Sequence, residues 1–246
     1  MEEKLQEVLS IINDAGFISI KDLTAVLGVT RSTTDRYLKR LEELKKIKRV
    51  QGGAMPKQSD FSFCPAWYYQ DDDPFYQERA ALGKKAAELI GDMECVFLGG
   101  GRNILHLAKR LVNRKICVVT NSLPVSLLLA GTDNEVNVVG AVPISDEGIL
   151  IGNSNSNLAV QKAFIAPGSL NEEGFCNHSQ LIVEFEKEFI AKAKEVIAIV
   201  DTQKFQMTSP YRICSYEDVD GVILPNSAPD DYKAIFKNNK ARTYYV

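Results

Sequence analysis

Apolar residues recur at helical spacing near the start of the chain. Leu5, Val8, Leu9, Ile11 and Ile12 share one face from Glu2 to Asp14, and Ala15-Gly16 supplies a stop, so the spacing predicts a first helix. After the short apolar stretch Phe17-Ile18-Ser19-Ile20, residues Lys21 to Leu27 predict two helical turns with Leu23, Val26 and Leu27 inward, closing on Gly28. Thr30 is suited to cap a third helix running to about Lys45, with Thr34, Leu38, Leu41 and Leu44 on its inner face. Its outer face carries Arg31, Ser32, Thr33, Arg36, Lys39 and Arg40. Two short helices joined by a glycine turn, the second polar and basic outside, form the helix-turn-helix pattern that sets a recognition helix in the DNA major groove. Ile47-Lys48-Arg49-Val50 followed by Gly52-Gly53 reads as a strand and tight turn, hence a wing.

Further along, the pattern changes from head to body. Residues 57–74 hold Pro65 and Pro74, the acidic run Asp71-Asp72-Asp73 and the aromatics Phe61, Phe63, Trp67, Tyr68 and Tyr69. This junction is too aromatic for a solvated tether and is expected to pack on a domain or a partner subunit. From Phe75 helical segments (75–91, 103–113, 122–130, 180–194, 229–238) alternate with short apolar runs (95–98, 116–120, 136–139, 163–166, 196–201, 221–224), without recognisable hairpin signals. Such alternation predicts an α/β sandwich around a mainly parallel sheet. The expected division is 1–56 head, 57–74 linker, 75–246 body.

Composition narrows the class without naming a function. Hydrophobic residues make up 45% and charged residues 25%, which fits a folded chain and excludes disorder or a collagen-like repeat. No apolar run approaches the roughly 20 residues that cross a bilayer, and Met-Glu-Glu-Lys lacks the basic and apolar regions of a signal peptide, so a cytoplasmic, non-membrane protein is expected. Cys64, Cys95, Cys117, Cys176 and Cys214 are scattered, and only His106 and His178 could complete a metal site, so neither a disulfide framework, a metal nor another cofactor is expected. The net charge of −3 hides an asymmetry: Val29 to Gln51 carries eight basic residues against Asp35, Glu42 and Glu43. A basic stripe on an acidic protein can meet DNA phosphates at one face while the rest repels nonspecific DNA.

In a parallel sheet, ligands sit beyond the carboxyl ends of the strands. Those positions hold Gly99-Gly100-Gly101-Arg102-Asn103, Thr120-Asn121, Gly140, Pro167-Gly168 and Asp201-Thr202-Gln203-Lys204. The glycine stretch with Arg102 is the strongest anion-site candidate, because glycines let backbone N–H groups approach a phosphate and arginine adds a bidentate donor. It is not the dinucleotide fingerprint, since Ile104 stands where G-x-G-x-x-G needs glycine. A glycine turn packed closely with no ligand is the competing reading.

Several of these segments carry a family likeness. Val29-Thr30-Arg31-Ser32-Thr33 through Leu38, with Lys48-Arg49 and Gln51-Gly52-Gly53-Ala54, resembles the N-terminal signature of the DeoR family of bacterial transcription regulators (V-S-x-x-T-I-R-R-D-L, then R-x-H-G-G-A). Val118-Val119-Thr120-Asn121-Ser122, Ala163-Phe164-Ile165, Glu184 with Lys187, and Asp201-x-x-Lys204-Phe205 resemble motifs of its sensor domain, which is similar in fold to ribose-5-phosphate isomerase. The head departs at Thr30 for serine, Thr34 for isoleucine, Asp35 for the first arginine, Tyr37 for aspartate and Gln51 for histidine. The body departs where the family has D-S-G-T-T, at Gly99 to Asn103, keeping only the middle glycine.

The resemblance implies a sequence-specific regulator of sugar or nucleoside genes, expected to repress, with a winged helix-turn-helix head and an α/β sensor body. It implies double-stranded operator DNA, a phosphorylated sugar effector and a homodimer or homotetramer as partners. The expected DNA-contacting residues are Thr30, Arg31, Ser32, Thr33, Asp35, Arg36, Lys39, Arg40, Lys48, Arg49, Gln51, Gly52 and Gly53. The expected effector residues are Gly99, Gly100, Gly101, Arg102, Asn103, Thr120, Asn121, Asp201 and Lys204. No catalytic role is assigned: no Ser-His-Asp or Cys-His signature is visible, and Asp201 with Lys204 reads as a strand-end pair. An isomerase-like enzyme with an accessory head, or a regulator whose body only assembles, are the alternatives.

Overall fold

The computed structural model describes residues 2–15, 18–44, 46–50, 53–56, 73–144, 148–152 and 158–246. Gln51, Gly52 and the aromatic cluster of the expected linker lie outside them. The chain divides into two units, Met1–Ser62 and Phe63–Val246.

The first unit contains α1 (Glu2–Ala15), β1 (Ile18–Ser19), α2 (Ile20–Leu27), α3 (Arg31–Glu43), β2 (Ile47–Val50) and β3 (Gly53–Pro56). Ser19 caps α2 by accepting from the Asp22 N–H, and Gly28 closes it in the left-handed conformation (φ 61°). Thr30 caps α3 through the Thr33 N–H, as its position predicts. Val8, Ile12, Leu23, Leu38, Leu41, Ile47 and Ala54 form the buried centre. Thr34 is polar yet wholly buried. Its hydroxyl donates to the Thr30 carbonyl and accepts from Thr24 Oγ1 at 3.0 Å, so neither group is left bare. β3 lies between β1 and β2, with Ala54 opposite both Ile18 and Arg49, which joins the wing to the start of α2.

In the second unit follow α4 (Tyr76–Glu88), β4 (Cys95–Leu98), α5 (Arg102–Ala108), β5 (Cys117–Thr120), α6 (Leu123–Leu129), β6 (Glu135–Val138), β7 (Val142–Ile144) and β8 (Ile149–Ile151). Then come β9 (Val160–Ile165), β10 (Ser169–Asn171), β11 (Gly174–Asn177), α7 (Gln180–Lys192), β12 (Ala193–Ile199), β13 (Tyr211–Cys214), β14 (Gly221–Leu224), α8 (Asp230–Asn238) and β15 (Arg242–Tyr245). Seven strands form one parallel sheet in the order β15-β14-β12-β9-β4-β5-β6. Its residues alternate between two cores. Val96, Leu98, Ile197 and Ile199 join Leu82, Ile104 and Val125 from α4 to α6 on one side. Phe97 and Val119 meet Phe185 and Phe189 of α7 on the other, with the Phe97 and Phe189 rings stacked at 4.1 Å. Both faces are covered, as the continuous apolar runs require.

Two expectations are corrected. The body does contain hairpins: β7 pairs with β8, and β10-β11-β13 form an antiparallel sheet. The β10–β11 turn is built by Asn171, whose Oδ1 accepts from the N–H groups of Glu173 and Gly174, and by Gly174, where a Cβ would stand 2.2 Å from the Cys214 carbonyl. An asparagine and a glycine flanking two glutamates were the available signal. β9 and β12 also begin three residues earlier than their apolar runs, because Ala193 and Glu195 pair with Val160 and Lys162 ahead of them.

Candidate functional site

On the head, the exposed residues of α3 are Arg31, Ser32, Arg36, Lys39, Arg40, Glu42 and Glu43, with Thr33 and Asp35 half-buried at its edge. Thr30 is exposed but committed to capping, with its hydroxyl 3.0 Å from that of Thr33. Asp35 is not an isolated acceptor: its Oδ1 receives a 2.8 Å bond from the Arg49 guanidinium of β2, both side chains being about a third exposed (39% and 32%). One carboxylate thus neutralises a wing cation beside the helix that the pattern marks for recognition. Arg40 pairs more loosely with Glu43, at 3.4 Å. Arg36 lies 6.0 Å from the centroid of the Tyr37 ring. Gly53 is buried and paired with Ser19 and Val50, which makes it part of the wing's hydrogen-bond ladder.

In the body, the order of strands reverses between β4 and β9, since β5 and β6 run outward on one side and β12, β14 and β15 on the other. Connections then leave these two strands in opposite directions and open a crevice beyond their carboxyl ends. A cavity of about 410 Å³ lies there, lined by Gly100, Gly101, Arg102, Asn103, Ile149, Ala166, His178, Glu186, Asp201 and Lys204, with Arg79 and Gln203. That size suits a small metabolite.

The three consecutive glycines have three separate causes. Gly101 has φ 101°, a conformation L side chains avoid. Gly100 would place a Cβ 2.2 Å from Ile149 Cδ1. Gly99 has no positive φ, and a Cβ there would stand 3.1 Å from the Glu186 carboxyl oxygen.

A buried charge network closes one wall. Arg79, 2% exposed, donates from Nε to Asp201 Oδ2 (3.2 Å), from one terminal nitrogen to Gln203 Oε1 (2.6 Å) and from the other to Asp73 Oδ2. Arg102 stands 3.9 Å from the other Asp73 oxygen. Burial opposes ionisation of Asp73, but the Phe75 N–H, Arg79 and Arg102 outweigh it and hold its carboxyl below the usual range. Asp201 also caps the 3-10 helix Thr202–Phe205 by accepting from the Gln203 N–H. His106 does not line the cavity; it is buried edge-on to Tyr76 at 4.8 Å.

Six of the nine expected effector residues therefore meet in one cavity: Gly100, Gly101, Arg102, Asn103, Asp201 and Lys204. Gly99, Thr120 and Asn121 are not among its lining residues. Thr120 donates its hydroxyl to the Leu98 carbonyl, and Asn121 donates Nδ2 to Leu150, so both brace the crossing of β5 with β4 and β8. Sequence reading missed Arg79, Glu186 and His178, and named Gln203 only as part of its strand-end segment. Arg79 and Glu186 belong to α4 and α7, and no local pattern marks them.

Comparison with known proteins is consistent with both halves. Residues 4–59 match the DeoR-like helix-turn-helix domain and residues 75–225 the DeoR C terminal sensor domain. The chain is 28% identical to the HTH-type transcriptional repressor GlcR of Bacillus subtilis, over 92% of this chain and 90% of that one. It is 26% identical to the lactose phosphotransferase system repressor of Streptococcus mutans, over 86% and 88%. Among solved structures it is similar to ribose 5-phosphate isomerase A of Methanocaldococcus jannaschii, with TM-score 0.42 and 16% identity over 53% of this chain and 55% of that one. With its matched DNA-binding head and a sensor domain matched over more than half of its length, the chain belongs to the DeoR family of transcription regulators.

Proposed function

We propose that this regulator represses genes of sugar or nucleoside use by binding operator DNA as a cytoplasmic homodimer or homotetramer, and that a phosphorylated small molecule in the body's cavity releases it. The observation that carries the reading is the cavity at the strand reversal, where Arg102 and Lys204 line the same space as the backbone of Gly100 and Gly101. Guanidinium, ammonium and close backbone N–H groups are the donors a phosphate needs. The names of the two relatives, a transcriptional repressor and a lactose phosphotransferase system repressor, support the gene class. An effector works here only through unequal affinity for two states of the protein.

A non-catalytic body is favoured by the state of Asp201. Its carboxylate is bonded to Arg79 and to the Gln203 N–H, which supports a structural role over that of a proton-abstracting base.

Thermal denaturation of the full chain against pentose, hexose and ketose phosphates, with free sugars as controls, tests the reading. A ligand at 100 times its Kd stabilises by about 2.7 kcal/mol, which raises Tm by roughly 5–10 °C for a body of this size. The shift should vanish in Arg102→Ala. An equal shift with free sugars, or one that survives the substitution, contradicts a phosphate site. Sugar-phosphate turnover would instead support the isomerase reading.

A further inference from the structure

We infer that Glu186 and Asn103 form a hydrogen-bond-accepting end of the cavity that reads hydroxyl groups of the effector and so sets its specificity. The inference rests on the reading of the cavity as a phosphate-ligand site and adds what the rest of the ligand must carry.

Asn103 is 1% exposed and lines the cavity. Its Nδ2 donates to the Ile199 carbonyl at 3.2 Å, and only an amide N–H can do that, so the orientation of the amide is fixed. Its Oδ1 consequently faces the other way, and it has no hydrogen-bond partner among the described residues. A buried acceptor of this kind is costly unless something donates to it. Glu186, also 1% exposed, lines the same cavity from α7. Its carboxyl stands close against the loop: the Oε1 atom lies 3.1 Å from where a Cβ of Gly99 would stand, so a side chain there would press on it. Backbone conformation does not demand glycine there, so room for the Glu186 carboxyl is what the missing side chain supplies.

The cavity therefore has donors on some walls (Arg102, Lys204, the glycine backbone) and acceptors on others (Glu186, Asn103). A phosphate, all acceptor, suits the first set and is repelled by the second. Hydroxyls can donate to the second. A polyol phosphate satisfies both, whereas inorganic phosphate or a deoxygenated analogue leaves the buried Asn103 Oδ1 without a donor.

The test uses the full chain and isothermal titration with inorganic phosphate, ribose 5-phosphate, glucose 6-phosphate and the 2-deoxy form of each sugar phosphate. At least one sugar phosphate should bind wild type tenfold or more tighter than inorganic phosphate. Glu186→Met should shrink that margin by about ten- to a hundredfold while inorganic phosphate binds at least as tightly as to wild type, which also reports a folded pocket. Gly99→Ala, which displaces the carboxyl without removing it, should shrink the margin less. A margin unaffected by both substitutions, or no margin over inorganic phosphate, overturns the inference and leaves the phosphate reading standing. No binding by any phosphate compound overturns both.

Discussion

Arg79 Nε donates to Asp201 Oδ2 at 3.2 Å, joining α4 to the segment after β12 across 122 residues of sequence. The same guanidinium holds Asp73 and Gln203, so one buried cation fixes two carboxylates. Arg79→Met takes the bonded cation from both, leaving Asp73 only Arg102 at 3.9 Å, and should destabilise the body by about 3–5 kcal/mol. Lysine should not restore it, because an ammonium lacks the planar fork that reaches three partners. Urea denaturation followed by far-UV circular dichroism measures this, and a loss under about 1 kcal/mol would contradict the network's structural weight.

Gly83 makes a second test of packing. Glycine to alanine inside a helix ordinarily stabilises by about 1 kcal/mol. Here the added Cβ would meet the His106 carbonyl carbon at 2.5 Å and the Leu107 nitrogen at 2.7 Å, both of them backbone atoms of α5. Gly83→Ala should therefore destabilise by roughly 1–3 kcal/mol, as overpacking does, and a higher Tm would refute the close approach of α4 to α5.

Acid should weaken the body through His106. Burial chiefly, with Lys109 and Arg79, pulls its pKa down to about 4, against 6.5 for the free side chain. Between those values the unfolded chain binds a proton that the folded one refuses, so stability is full above about pH 6.5 and falls as pH drops toward 4, by on the order of 2–3 kcal/mol. His106→Phe, which keeps a ring against Tyr76, should flatten this acid limb when Tm is followed from pH 7 to pH 4. An unchanged slope would place the proton uptake elsewhere.

The head should respond to release of Arg49 from Asp35. Asp35→Asn removes the charge that neutralises the wing arginine at 2.8 Å. DNA affinity should rise for all sequences, and the dependence of log K on log salt should steepen by about one phosphate contact. Fluorescence anisotropy on a random duplex at several salt concentrations reads this, and a flat response would mean Arg49 does not face the DNA backbone.

Periodic burial was legible in the sequence because it is a local property. The Val8–Ile12 stripe, the Thr30 cap and the runs at Cys95–Leu98 and Gly221–Leu224 are found where their patterns lie. Elements stabilised by distant partners were not legible. β10, β11 and β13 are short strands whose pairing depends on each other, and β15 enters the sheet through β14. The cavity followed the same division. Its residues from Gly100 to Asn103, with Asp201 and Lys204, announce themselves just after strands, whereas Arg79 and Glu186 lie inside α4 and α7, with Arg79 held by Asp201 and the Glu186 carboxyl close against Gly99.

Selection from a random duplex pool with the full chain shows whether the head reads DNA sequence and the cavity governs it. Repeated half-sites spaced by about one helical turn or a multiple should be enriched. Arg36→Ala should weaken binding to the enriched duplex by roughly 1–3 kcal/mol, and a sugar phosphate should release the protein from it only while Arg102 is intact. Absence of an enriched sequence, or release that is indifferent to Arg102, would contradict this reading.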